Sequence, residues 1–281
     1  MRRWLAVVSL LMIVGICINA QGQSLKDPLG VQLWSFRVDF KKDVPGTLKR
    51  IRALGFTEVE LAGYYGLGAE GLKKELDKAG LRAVSMHIDL RTARDKTEQT
   101  IKEAKILGVK YVGVPYLKSP FTRKDCDEAI SVFNQAGRRF AEAGLVFFYH
   151  PHGYEFVPGP EGKGTLFDYL MEKTDAKYVK MQLDTFHVAF PGQDPVAILK
   201  KFPGRFVSIH LKDIGKEVKG NDSGDAPEKD MRPIGEGRIN WAGLLAEARK
   251  QGIHSLIIED ESATPWDGVP KSLAYLKGLK Y

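Results

Sequence analysis

At 281 residues the chain is long enough for one α/β barrel or for two small domains, and with 43% apolar and 27% charged residues its composition is that of a globular protein and argues against disorder. Its formal net charge of +7 comes from lysines scattered along helix-like stretches, the look of a solvated surface, so charge gives no case for nucleic-acid binding. Cys17 falls in the leader described next, which leaves Cys126 alone and no intrachain disulfide to expect.

Arg2 and Arg3 precede an apolar stretch from Trp4 to Ile18, and Asn19-Ala20-Gln21 offers a small residue at a cleavage position. This reads as a secretory signal peptide over residues 1–20, then a linker over 21–27 and one domain over 28–281. An uncleaved anchor is the rival reading, for which the stretch is short. No other segment is apolar enough to cross a bilayer. An exported protein, periplasmic or secreted, is therefore expected, with no stable membrane association once the leader is cut.

From there, apolar β-type runs alternate with stretches of helical period. The strands are predicted at 30–35, 57–61, 83–87, 111–114, 146–150, 179–184, 206–211 and 255–259. The helices are predicted near 45–54, 69–79, 94–107, 124–143, 165–174, 195–201, 240–251 and 268–278. Gly55, Gly80, Gly108, Gly144 and Gly252 each stop a helix before the next strand. Eight strand–helix pairs are the count of a (β/α)8 TIM barrel. A doubly wound open sheet is the alternative, but Gln32-Leu33-Trp34-Ser35-Phe36 stands where its glycine-rich phosphate turn belongs. The one long irregular stretch, 213–237, follows the seventh strand and reads as a lid or binding loop, or as a surface insertion.

Histidines and acids close the later strands. His150 and His152 are two apart at a strand end and share a side if strand geometry persists. Ligand and satisfied core residue are both open for them, with Glu155 following. Asp184 in Asp184-Thr185-Phe186-His187 is a ligand or the cap of the next helix. Alternation sends His210 and Lys212 to one side of the seventh strand. Glu259 closes a buried apolar strand and needs a partner. Ends of successive strands in a barrel lie on one rim, so these groups converge, and imidazoles with carboxylates are what a divalent metal needs.

From about residue 28 to its end the chain resembles the xylose isomerase-like barrel superfamily, the sugar phosphate isomerase/epimerase group. The resemblance rests on Val31-Gln32-Leu33-Trp34-Ser35, Tyr149-His150-Pro151-His152 with Glu155-Phe156, and Leu183-Asp184-Thr185-Phe186-His187. It continues through Ile209-His210-Leu211-Lys212-Asp213, Gly235-Glu236-Gly237-Arg238-Ile239-Asn240-Trp241 and Ile258-Glu259. It implies one divalent metal, with manganese first and zinc, cobalt or iron also suited, held by His152, Asp184, His210 and Glu259. Epimerases of the group carry a glutamate on the fifth strand. Histidine in that place loses the paired carboxylates and is closer to a branch that includes inosose-dehydratase-like proteins.

The chemistry so implied is proton abstraction next to a sugar carbonyl, with an enediolate intermediate. Glu259 and Glu60 are the candidate bases, Glu60 being otherwise salt-bridged. Lys212 polarises an oxygen, protonates a leaving group, or simply pairs with Asp213 or Glu259. His187, His150, His87, Trp34 and Trp266 are the candidate substrate contacts. For His87 a structural role is the alternative, and for Trp34, Phe36 and Trp266 it is packing. His254 precedes the last strand at the far end of the barrel and is expected to be structural.

A metal-dependent sugar isomerase/epimerase acting on a small carbohydrate is the leading expectation. The second is a secreted lyase or hydratase of a ketosugar or 3-keto-glycoside, working by β-elimination on the same site. The leader and the missing glutamate favour that second reading. A non-catalytic sugar binder and an endonuclease IV-like nuclease are the remaining readings. Against the nuclease, Arg232 stands where its seventh-strand loop has a histidine, and Pro115-Tyr116 follows strand four. A homo-oligomer is open on sequence grounds, and the fold alone does not choose among these chemistries.

Overall fold

Eight short parallel strands close on themselves: β1 Leu29–Gln32, β2 Glu58–Leu61, β3 Arg82–His87, β4 Tyr111–Val114, β5 Val146–Tyr149, β6 Val179–Asp184, β7 Phe206–Leu211 and β10 Ser255–Ile258. β10 pairs with β7 on one side and β1 on the other, so the sheet has no free edge. Between β7 and β10 lies a separate antiparallel pair, β8 Asp213–Ile214 with β9 Met231–Arg232. This computed structural model describes Leu25 and residues 28–224 and 226–281. The expected leader, and all of the linker but Leu25, lie outside the described residues.

Strand alternation sorts the side chains. In β6, Val179, Met181 and Leu183 are fully buried in the apolar shell, while Gln182 and Asp184 project into the barrel, also fully buried. The outer shell is helical. Arg123–Glu142 buries Cys126, Ala129, Val132, Phe133, Ala136, Gly137 and Phe140 along one stripe at three- and four-residue spacing. Thr122 starts that helix in a reciprocal cap with Asp125. Among the described residues, no helix is long and apolar enough to cross a membrane.

Three expectations are corrected by local structure. The first strand ends at Gln32, and Leu33–Phe36 is a 3-10 turn, because the Gln32 side chain accepts the Trp34 N–H at 3.1 Å and caps the turn. The helix predicted near 94–107 is two, Leu90–Asp95 and Thr97–Leu107. Asp89 caps the first, accepting the Thr92 N–H, and the backbone breaks at Lys96. The last helix begins at Pro265, earlier than predicted, since proline fits the first turn. The irregular 213–237 stretch is pinned at both ends by the β8–β9 pair.

Candidate active site

Below the carboxyl end of the barrel lies a buried polar layer centred on Glu60. Register sets Gln32 beside Glu60 and Gln182 beside Ser208. The Glu60 carboxylate accepts hydrogen bonds from Gln32 Nε2 at 2.7 Å, Ser85 Oγ at 2.5 Å and Gln182 Nε2 at 2.8 Å, and it also pairs with His210 Nε2. Burial raises its pKa, but His87 and His210 outweigh this and hold the group well below the ordinary carboxylate range. Glu60 lies under the pocket, not on its wall, so the expected rim base is an internal anchor for its neighbours.

Gln182 transmits that anchoring. An ionised Glu60 only accepts, so the Gln182 amide nitrogen faces it and the amide oxygen faces His87 Nε2, at 3.1 Å, and His150 Nδ1, at 2.8 Å. Both of those ring nitrogens therefore carry hydrogen. His150 is left with a lone pair on Nε2, 3.6 Å from Asp184 Oδ2.

Above this layer, Asp184, His210 and Glu259 offer ligand atoms within 4.8 Å of one another. The β6–β7 register puts Asp184 beside His210. Asp184 caps the next helix and still keeps one carboxylate oxygen for the site. Oδ1 caps the helix Thr185–Ala189 by accepting the His187 N–H at 2.9 Å, and Oδ2 faces the site. His210 Nδ1 is 2.8 Å from Glu259 Oε2 and 3.8 Å from Asp184 Oδ2, while Glu60 takes its other nitrogen. Burial pushes the His210 pKa down, but Glu60 and Glu259 carry it up to about 10.

The Lys212 ammonium is buried with three carboxylates: Glu259 Oε2 at 2.8 Å, Asp184 Oδ2 at 3.0 Å and Glu261 Oε1 at 3.3 Å. Burial favours its neutral form, and these three acids more than offset that, so it stays protonated. For Glu259, Lys212 and His210 overcome burial and hold the carboxyl low. For Glu261, burial wins and the pKa is raised. Asp213 is not the partner of Lys212. It accepts the N–H groups of Gly235, Gly237 and Ile239 and the indole of Trp241. A Cβ at Gly237 would fall 2.1 Å from Asp213 Oδ1, which accounts for the glycine in that segment.

Three imidazoles face this acidic group. His150, His152 and His187 have ring nitrogens within 4.8 Å of one another. Burial pushes all three pKa values down, that of His152 to about 3, so all are neutral. His187 Nδ1 and Nε2 and His152 Nδ1 are buried without a hydrogen-bond partner. Such groups are costly unless something binds there. Glu155 shapes the turn that carries them, accepting the N–H of Gly153 at 2.8 Å and of His152 at 3.1 Å, with the Tyr149 hydroxyl against it. Gly153 has φ +99°, and a Cβ there would sit 2.7 Å from the His187 carbonyl oxygen.

A pocket of about 350 Å³ opens over these groups, lined by Trp34, His87, Tyr116, His150, His152, Glu259 and Glu261. Trp34 is 47% exposed at its edge. Trp266 is not in it. Its ring packs on Phe36 at 4.2 Å under the Arg50 guanidinium, and its indole nitrogen donates to Asp39. Of the four expected ligands, Asp184, His210 and Glu259 meet, whereas His152 groups with His150 and His187. Glu261 and Gln182 were missed by the sequence reasoning. Gln182 lies two residues before Asp184 in strand alternation, which is the signal that finds it, whereas Glu261 follows the end of the last strand, where no periodicity marks it.

The donors fit a divalent cation. Two ligands each about 2.1 Å from one ion stand roughly 3 to 3.5 Å apart, near the spacings of His210 Nδ1, Asp184 Oδ2 and Glu259 Oε2. The carboxylate of Glu60 behind His210 is the support that metal-binding histidines usually have.

A sequence profile described as xylose isomerase-like TIM barrel matches residues 48–279. The inosose dehydratase of Bacillus cereus (strain AH820) is 29% identical over 186 residues, 58% of this chain; the chain spans 61% of that relative's length. A sugar phosphate isomerase/epimerase from Parabacteroides distasonis ATCC 8503 is 27% identical with a TM-score of 0.74, over 89% of this chain and 93% of that one. The 3-keto-D-glucoside 4-epimerase of E. coli, 16% identical with a TM-score of 0.68 over 90% of this chain and 100% of that one, is alike in fold alone. With its closed eight-stranded barrel and its matched profile, the chain belongs to the xylose isomerase-like TIM barrel family.

Proposed function

We propose that this protein is a metal-dependent enzyme that removes a proton beside the carbonyl of a ketosugar and then expels a β-substituent, as a dehydratase or lyase. The convergence of Asp184, His210 and Glu259 carries the reading. Those three would hold the cation, with His150 as the fourth donor in preference to His152, because the His150 Nε2 lone pair faces Asp184. Manganese, zinc, cobalt and iron suit two imidazoles and two carboxylates. When bound, such an ion supplies a Lewis acid beside the carbonyl oxygen.

The chain's own groups divide the proton work. Glu259, on the pocket wall with Oε2 engaged by His210 and Lys212, takes the proton from carbon. Glu261 lines the same pocket and returns a proton to the departing oxygen, so water or an alcohol leaves. Lys212, held between them, fixes their separation and balances their charge. His152 and His187 bind sugar hydroxyls through their unpartnered nitrogens, and Trp34 stacks on a ring.

Isomerisation or epimerisation is the second reading, favoured by the likeness in sequence and fold to the sugar phosphate isomerase/epimerase of Parabacteroides distasonis. Metal-loaded protein incubated in D₂O with aldoses, ketoses and 3-keto-glycosides, followed by NMR, separates the two. Release of water or aglycone is expected; deuterium in an epimer without release identifies the second, and no exchange with any sugar overturns both. An exported location goes with this proposal, supported by Arg2, Arg3 and the apolar run after them.

A further inference from the structure

We infer that the pocket is one end of a longer cleft and that the substrate carries a second sugar ring, seated among the loops that follow β2, β3 and β4. The inference rests on the ketosugar reading for the ring at Glu259. Beside the pocket of about 350 Å³ lies a cleft of about 630 Å³, and the two share Ala62, His87, Pro115 and Tyr116 as walls. Small-molecule sites run from about 300 to 1,000 Å³, so the first compartment suits a single ring and the pair suits two.

The chemistry of the second compartment is that of a hydroxyl-rich ligand. Its walls carry Asp89, Thr92, Lys96, Gln99 and Glu103. Thr92 lines it from the helix Leu90–Asp95, Lys96 from the break that follows, and Gln99 and Glu103, four residues apart, from one face of the helix Thr97–Leu107. Glu103 is fixed by the Tyr64 hydroxyl and by Gln99 Nε2 at 2.9 Å. At the junction stands Tyr116, 45% exposed and edge-on to His152 at 5.2 Å, a surface on which a ring can lie. An apolar aglycone would leave these donors and acceptors unmatched, at a cost that a second pyranose avoids.

The test compares 3-keto methyl β-cellobioside with 3-keto methyl β-glucoside, and reads binding separately by saturation-transfer NMR with unoxidised methyl β-cellobioside. The expected result is a kcat/KM about tenfold higher for the two-ring substrate, a ratio that falls severalfold in a Lys96→Ala/Gln99→Ala double variant and in Thr92→Trp, which fills the cleft. Saturation is expected to reach both rings in the parent and one ring in the variants, with unfolding curves confirming that the variants fold. Equal kcat/KM for both substrates, transfer to one ring or none in the parent, or the same two-ring transfer in the variants overturns the proposal. The binding measurement needs no turnover, so inactivity toward both ketosugars counts against the proposed reaction and leaves the cleft to be judged by NMR.

Discussion

Gln182 accepts the Nδ1 hydrogen of His150 at 2.8 Å, and that bond turns the other ring nitrogen toward Asp184, 3.6 Å away. The chain of cause runs outward from Glu60, which orients the amide, to the amide, which selects the tautomer. Gln182→Leu removes the selection without replacing a ligand. Metal affinity is expected to fall about 10- to 100-fold, read by competition with a chromophoric chelator. His150→Ala is expected to cost more affinity than His152→Ala. The reverse order would return the fourth donor to His152.

Removing metal should also cost stability. An ion that binds only the folded chain adds about 2.7 kcal/mol at one hundred times its Kd, or roughly 5 to 10 °C in Tm for a domain of this size. Chelator-treated protein is expected to melt lower by that order, with recovery on adding back manganese, zinc or cobalt. Superimposed melting curves with and without metal would remove the cation from the site.

Glu259 and Glu261 share one ammonium yet are expected to fail differently. Glu259→Gln takes away both a donor to the ion and the proposed base, so metal affinity and turnover fall together. Glu261→Gln leaves Asp184, His210 and Glu259 in place. It is expected to lower kcat about 10²- to 10⁴-fold at saturating metal, with metal affinity changed far less. A Glu261→Gln variant of ordinary kcat would remove that carboxyl from the proton transfers.

Sequence periodicity is a good guide to what an isolated strand or helix does, and a poor one to side-chain partnerships. Most of the eight strands are legible as short apolar runs, several with a polar residue at the carboxyl end, and Asp184, His210 and Glu259 stand at or beside such ends. The turn at Leu33–Phe36 is hidden, since its apolar residues look like continued strand while the Gln32 side chain stops it. Glu60 stands near the carboxyl end of its strand much as Glu259 does, and only the arrangement of Gln32, Ser85, Gln182 and His210 around it shows that it is enclosed. Trp266 is similar: position near the rim is readable, but the contacts with Phe36, Arg50 and Asp39 are not.

Away from the site, Cys126 gives stability a pH dependence of definite sign. The thiol is fully buried in the helix Arg123–Glu142, its Sγ 3.8 Å from the Leu166 carbonyl oxygen, and burial, with Asp127 and Glu155 adding to it, pushes its pKa up from 9.0 to about 12. Below pH 9 folded and unfolded chains both keep the proton, and the group contributes no pH dependence. Between pH 9 and 12 the unfolded chain ionises while the folded chain does not, so stability falls as pH rises, by at most about 1.4 kcal/mol per unit for this group. Tyr64 and Tyr65, also raised by burial, act in the same direction above pH 10. Cys126→Ala removes the thiol's share, so urea unfolding from pH 8 to 11 is expected to show the parent losing stability faster than the variant. The native thiol should stay silent toward a disulfide reagent at pH 8 until urea exposes it. Parallel pH curves for the two proteins would mean that the thiol is ionising freely in the folded state.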